Sequence, residues 1–285
     1  MPDVPYPGRV RAAAVQLRAT ADRNANLDHA AELVGAAAAD GADLVVLPEH
    51  VAVAGGPEVL AAAAEPLEGT FATWASGLAR SHGIWLVAGT FPERIPGRAR
   101  PANTCVVASP DGRLAAAYRK VHLFDAPVAG VRESDATEPG EEVTTVALGT
   151  VGGAQWHLGL AICFDLRFPE LFLALALRGA GVVAVPSAFT AVTGPAHWET
   201  LVRARAIDAQ CFVVAADQEG RLPPGMPACH GHSMIVDPWG RVLAEAGPGA
   251  GFIAADLDAS VPAEARTSLP VLTARRPAVY RRSDE

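Results

Sequence analysis

The chain has 285 residues, half of them hydrophobic and 19% charged, with a formal net charge of −8. That apolar content can bury a large core and excludes a disordered chain, while the acidic balance and the scattering of Lys and Arg exclude a nucleic-acid binder. α/β folds of this length are routinely single units, so one domain over 1–285 is expected, with a core over about 9–258 and a C-terminal arm over 259–285.

Val10 to Leu17 reads as a first strand, and Asn24 to Ala39 as an Ala-rich helix with Asn24 or Asn26 near its start. Asp43 to Leu47 is a buried strand ended by Pro48, which leaves Glu49 just past a strand end. A helix occupies part of Glu58 to His82, and a strand follows at Ile84 to Thr90. Cys105 to Ser109 and Leu114 to Arg119 flank Pro110-Asp111-Gly112 and predict a hairpin, with Lys120 at the end of its second arm. From Val121 to Glu142 the pattern breaks into Pro, Gly and charged residues. A loop of that length in a compact protein is more often functional than idle.

Thr144 to Leu148 and His157 to Ile162 predict a second hairpin through the Gly-rich turn Gly149 to Gly153, and Cys163 closes its second arm. Pro169 suits the start of a helix whose end is marked by Arg178 and Gly179. Gly181 to Val185 is a further strand, and His197 to Ala209 a helix with Trp198, Val202 and Ala206 on one face. Cys211 to Ala216, His232 to Val236, Arg241 to Ala244 and Phe252 to Leu257 complete the strands, with Pro238-Trp239-Gly240 as a turn. The direct hairpins fit a pair of mixed sheets covered by helices better than a purely parallel, doubly wound sheet. The longest apolar stretch, Leu171 to Phe189, is interrupted by Arg178, Gly179, Gly181 and Pro186, so no membrane span of about 20 apolar residues is expected.

Cys105, Cys163, Cys211 and Cys229 lie far apart with no CxxC pair, and Asp3 and Pro5 stand where a signal peptide would need a basic start and an apolar run. Reduced thiols and a cytoplasmic location follow as expectations. Taken singly, Cys105, Cys211 and Cys229 read as core residues. Cys229-His230-Gly231-His232 lacks a second ligand pair at zinc-site spacing, so neither a metal nor another cofactor is expected. The absence of a GxSxG elbow, a Walker loop and a GxGxxG fingerprint excludes the common serine hydrolases, NTPases and Rossmann dehydrogenases.

Three reactive residue types each follow an apolar strand: Glu49 in Leu47-Pro48-Glu49, Lys120 in Tyr118-Arg119-Lys120-Val121-His122-Leu123, and Cys163 in Cys163-Phe164-Asp165-Leu166-Arg167-Phe168-Pro169-Glu170. Strand ends are where layered α/β proteins gather their sites. Spacing alone leaves open whether the three meet. These blocks closely resemble the signatures of the nitrilase superfamily of carbon–nitrogen hydrolases. The resemblance continues through Pro186 to Phe189, Thr193 to Glu199, Arg203 to Ile207 and Gly231 to Met234, and so covers roughly residues 9 to 280 in order.

The resemblance implies a four-layer αββα sandwich with mixed β-sheets, in which Glu49 is the general base, Lys120 the cationic stabiliser and Cys163 the nucleophile of a thioester mechanism. It implies a supporting role for Glu133, oxyanion or substrate contacts from Phe164, Arg167, Ser187, Phe189 and Thr193, and a homodimer or larger homo-oligomer. Cys163-Phe164-Asp165 looks like the amidase branch, and the later blocks look most like omega-amidases and deaminated glutathione amidases. A small, carboxylate-bearing primary amide is therefore the expected substrate, with Arg167 the nearest guanidinium for its anionic end. A nitrilase, an N-carbamoyl amide hydrolase and a non-catalytic partner-binding protein of the same fold are the alternatives. On chemical grounds Lys120 and the helix entered at Pro169 should favour a Cys163 thiolate, and an ionised Glu49 should oppose it.

Overall fold

The computed structural model describes residues 8–280. The chain fills one sheet, then a second, and returns to the first. β1 (Arg9–Gln16), β2 (Leu44–Val46), β3 (Trp85–Glu93), β4 (Ala102–Ala108) and β5 (Leu114–Arg119) lie side by side in sequence order. β6 (Thr145–Val151), β7 (Ala154–Leu160), β8 (Val182–Ser187), β9 (Phe212–Asp217), β10 (Met234–Val236) and β11 (Val242–Glu245) do the same in the second sheet. β12 (Gly251–Asp258) then pairs antiparallel with β1, from Arg9 opposite Asp258 to Gln16 opposite Gly251. Both sheets are mixed, with parallel ladders joining β1, β2 and β3 in one and β7, β8 and β9 in the other.

Burial on both faces explains why the strands read as continuous apolar runs. In β1, Ala12 and Ala14 face the core between the sheets, while Ala13 and Val15 face the outer core beneath the helices. The same alternation divides Leu44 and Val46 from Val45 and Leu47, as the two-residue period of a strand requires. α1 (Arg23–Ala39) and α3 (Thr70–His82) cover the first sheet through Ala30, Val34 and Ala37 and through Phe71, Ala75 and Ala79. α4 (Pro169–Leu177) and α5 (Gly194–Ala209) cover the second through Phe172 and Leu175 and through Trp198, Val202 and Ala206. Four layers result, helix, sheet, sheet, helix.

Local chemistry moves several boundaries. α1 is capped by Asp22, whose carboxylate accepts the Ala25 N–H at 3.1 Å. Asn26, expected near the cap, is buried and folds the preceding loop by accepting the Thr20 N–H at 2.8 Å. The stretch from Glu58 to His82 holds two helices, since α2 (Pro57–Ala62) ends before Pro66 and α3 begins after Gly69. The second hairpin turns at Gly152 and Gly153, with Gly149 inside β6 at a shift of register. α6 (Ser260–Ser268), in the stretch expected as a C-terminal arm, docks on the body: Pro262 and Ala265 are buried, and the Gln210 amide donates to Ala265 O at 3.0 Å and Leu269 O at 2.7 Å. Arg281 and Arg282, the end of the expected arm, lie outside the described residues.

One glycine fixes the approach of two strands next to Glu49. Gly89 has φ +66°, and a Cβ there would sit 2.2 Å from the Pro48 carbonyl oxygen. Gly89→Ala combines a left-handed backbone with a backbone clash, so it is expected to lower stability by on the order of 2–3 kcal/mol. Urea denaturation reads this directly, and an unchanged midpoint would contradict it.

Candidate active site

Glu49 follows β2, Lys120 follows β5, Cys163 follows β7, and the segment Ser187 to Phe189 ends β8, so both sheets deliver their carboxyl-terminal ends to one place. Glu49, Lys120, Glu133, Cys163 and Ala188 line a cavity of about 340 Å³. The Lys120 ammonium donates to Glu49 Oε1 at 2.9 Å and to Glu133 Oε2 at 2.8 Å. Asn103 Nδ2 donates to Glu49 Oε1 at 2.8 Å, and the Ala188 N–H donates to Glu49 Oε2 at 2.9 Å. Phe124 N–H completes Glu133 at 2.7 Å. Every ionised oxygen in this cluster has a donor, as buried charge demands.

The electrostatics run against the expected thiolate. Burial pushes the Cys163 thiol well up, the Glu49 carboxylate adds to that push, and Lys120 only partly opposes it. The thiol therefore rests protonated, in the cavity that Glu49 also lines. Burial would raise the Glu49 carboxyl, but Lys120, with lesser help from His50 and the Cys163 thiol, takes it below the usual carboxylate range. Burial likewise disfavours the charged Lys120, yet Glu133 and Glu49 hold its ammonium well above the ordinary lysine value. An ionised base beside a neutral thiol is the state that general-base catalysis starts from. α4 begins six residues after Cys163, at Pro169, too far for its N-terminus to settle the balance.

Cys163 itself has φ +45° and opens a 3-10 turn from Cys163 to Arg167. Non-glycine residues rarely adopt this conformation, and those that do cluster at functional sites. Asp165 holds the turn: its fully buried carboxylate accepts the Ile162 N–H at 2.8 Å, the Tyr118 hydroxyl at 2.8 Å and the His122 N–H at 3.2 Å, and pairs with His122 Nδ1 at 2.7 Å. Tyr118 and His122 flank Lys120, so one carboxylate fixes the segment of Lys120 against the turn of Cys163. Arg205, buried in α5, supports the same turn by donating to Leu166 O at 2.7 Å. Asn103, Gln218 and Asp217 are further residues that sequence reasoning did not single out. Gln218 Nε2 holds the Glu49 carbonyl at 2.8 Å, and Asp217 Oδ1 holds the Phe189 N–H at 2.7 Å. Their only sequence signal is a polar side chain inside an apolar strand or at its end.

Phe164, Arg167, Phe189 and Thr193 line a narrow side pocket that also touches Cys163. Ser187 does not line either space; it is fully buried and its hydroxyl turns back to the Val185 carbonyl. His230 and His232 stack on each other, and His232 pairs with Glu245 at 2.8 Å. Among the described residues no group of three or more His, Cys, Asp or Glu is placed to hold a metal ion, and no helix is long and apolar enough to cross a membrane.

The profile of the carbon-nitrogen hydrolase family matches residues 11–267. A deaminated glutathione amidase from Bos taurus is 43% identical over 275 residues, which cover 94% of this chain and 82% of that protein. An omega-amidase from Mus musculus is 38% identical over 273 residues, covering 95% of this chain and 96% of that protein. Among solved structures, a branch 10 member of the nitrilase superfamily from Saccharomyces cerevisiae superposes with a TM-score of 0.84 and 36% identity, covering 96% of this chain and 99% of that one.

The Asp165 hub makes a prediction separate from the chemistry. Asp165→Asn weakens four hydrogen bonds to one carboxylate at once and is expected to destabilise the fold by about 1.5–3 kcal/mol while slowing alkylation of Cys163. Stability and labelling left at wild-type levels would show that the turn is held by other contacts.

Proposed function

The chain belongs to the carbon–nitrogen hydrolase family, and from that premise we propose that it hydrolyses the amide bond of a small molecule with Cys163 as nucleophile, Glu49 as general base and Lys120 as stabilising cation. Its fold is the mixed α/β fold of nitrilase superfamily structures. The observation that carries the reading is the buried Glu49–Lys120–Glu133 cluster opening, beside a protonated thiol, onto a cavity large enough for a small molecule.

Cys163 Sγ attacks the amide carbonyl carbon while Glu49 accepts the thiol proton. The oxyanion that forms is met by the Lys120 ammonium and the Phe164 N–H, a contribution of about 3 kcal/mol for one donor. The carbon–nitrogen bond then breaks, Glu49 returns its proton to the nitrogen, and ammonia leaves a thioester behind. Water, deprotonated by Glu49, attacks the thioester and releases the carboxylic acid. The proton goes back to sulfur and the resting state is restored. Glu133 is a positioning residue that holds Lys120 alongside Glu49, the two carboxylates sharing the Asn103 amide.

Arg167 supports a substrate with an anionic end. Its partly buried guanidinium has no carboxylate at ion-pair distance among the described residues; it is held by Thr193 Oγ1 at 3.3 Å and His197 Nδ1 at 3.2 Å over the Phe189 ring. A carboxylate entering the side pocket would supply the missing partner. Family membership and the names of the relatives favour small ω-amides and deaminated glutathione. The four unpaired cysteines support a cytoplasmic setting. Leu177 and Ile207, exposed on the outer helical layer, support self-association, and residues 1–285 are taken to act as one catalytic domain.

Two experiments test this reading. Ammonia release is to be measured with an ω-amide of a dicarboxylic acid, deaminated glutathione and a simple nitrile; turnover of the amides is expected, and turnover of the nitrile alone would overturn the assignment. Glu49→Gln should lower kcat by about 10²–10⁴-fold, and Cys163→Ala should leave no thioester chemistry. The pH profile is a second check. Catalysis needs Glu49 ionised and Lys120 protonated; the first has its pKa lowered and the second raised. Activity should therefore persist below the usual carboxylate range and above the usual thiol range, and a limb centred on an ordinary cysteine value would contradict the protonated-thiol state.

A further inference from the structure

His50 stands beside the proposed base and takes no part in the chemistry described so far. It follows β2 in a left-handed conformation, φ +61°, with its backbone N–H donating to Thr90 Oγ1 at 2.8 Å. Non-glycine residues rarely hold that conformation, and those that do collect at functional sites. The residue lines the main cavity together with Glu49, Lys120, Glu133 and Cys163, and it also lines a small space that shares Leu60 and Thr137 with that cavity. The charges its imidazole meets are those of Glu49, Glu133 and Lys120, so the ring lies on the side of the reactive cluster.

This ring is open where the rest of the cluster is closed. No hydrogen bond engages it among the described residues, yet neither ring nitrogen is one of the four buried side-chain atoms that lack a partner. Both nitrogens of this half-buried side chain therefore keep surface that a ligand can touch. Burial holds the imidazole below the ordinary histidine value and Lys120 adds to that effect, although Glu49 and Glu133 pull the other way. At neutral pH the ring is uncharged, with one nitrogen donating and the other accepting. The two carboxylates around one ammonium leave a net negative charge nearby, which repels an anionic group and admits a neutral polar one.

We propose that His50 is a specificity-determining residue that hydrogen-bonds an uncharged polar substituent, such as a hydroxyl, on the amide nitrogen of the substrate. The inference rests on the amide-hydrolase reading and deepens it. Cys163 lines both the main cavity and the side pocket of Arg167. An amide whose anionic end enters the side pocket, with its carbonyl carbon at Cys163, directs its nitrogen into the main cavity. His50 lies there, and about 340 Å³ is more than an unsubstituted NH2 group fills. The bonds made and broken are those already given, except that the leaving group is the substituted amine, which departs with the proton returned by Glu49.

Three monoamides of glutaric acid test the assignment: the primary amide, the N-(2-hydroxyethyl) amide and the N-propyl amide, which differ at the nitrogen alone. The ratio of kcat/KM between the last two measures recognition of the hydroxyl and does not depend on how much of a preparation is folded. Wild-type protein is expected to favour the hydroxyethyl amide by about 5- to 10-fold, the effect of one hydrogen bond. His50→Asn tolerates the left-handed backbone but draws its polar atoms back, and should bring the ratio near unity; His50→Gln, with the longer reach, should restore it. A wild-type ratio near unity, or a preference left intact in His50→Asn, would overturn the assignment while hydrolysis of the primary amide still stood. Failure to hydrolyse any of the three amides would instead remove the amide-hydrolase reading, and this inference with it.

Discussion

A protonated amine clasped between two carboxylates, out of contact with bulk water, is the constraint on which the rest of this molecule depends. Taking each ion from water costs several kcal/mol, repaid only when the geometry is good and the leftover lone pairs are filled. Here Lys120 and Glu49 are each 2% exposed, and Asn103, Phe124 and Ala188 supply the remaining donors. Because the cluster is complete, its charges are fixed in place before any substrate arrives. In the proposed mechanism the thiol beside it is thereby kept neutral and Glu49 kept ionised, so that proton transfer and attack are linked in one step.

Holding that cluster together is the work of both sheets. Glu49 belongs to the first sheet and Cys163 to the second, and neither reaches the other through local sequence. Residues that touch no substrate join them: Asp165 ties the segment of Tyr118 and His122 to the turn of Cys163, and Gln218 at the end of β9 holds the backbone of Glu49. A layered fold lends itself to this, since parallel strands in two facing sheets present their ends together while their bodies remain anchored in apolar cores.

Much of this was legible in the residues. Apolar runs of strand length, the hairpin at Pro110-Asp111-Gly112 and the helix opened by Pro169 are set by local chemistry and stand where the pattern puts them. The three reactive residues drew notice for following strand ends, and their family blocks, not their spacing, grouped them. What could not be read depends on tertiary contact. Asn103 sits beside Thr104 in a fully buried strand whose other residues are apolar, and nothing local says that its amide faces two glutamates. The neutral state of the thiol was hidden for a related reason: Lys120 and a helix end argue for a thiolate, but complete burial and the nearness of Glu49 prevail. Ser187 shows the limit of a motif, which names a segment but not the direction of each side chain: its hydroxyl turns back to the Val185 carbonyl and it lines neither space.

The return of β12 to β1 bears on how the protein is made. The eight rungs between them join residues 9–16 to residues 251–258, segments far apart in the sequence. During synthesis β1 has no neighbour on that flank until residues 251–258 have left the ribosome. Long-range ladders of this sort slow folding, and an unpaired flank invites pairing with other chains. Products cut short before residue 251 would retain every proposed catalytic group yet carry that open flank, so translation that stops early favours clumping over a weakly active enzyme.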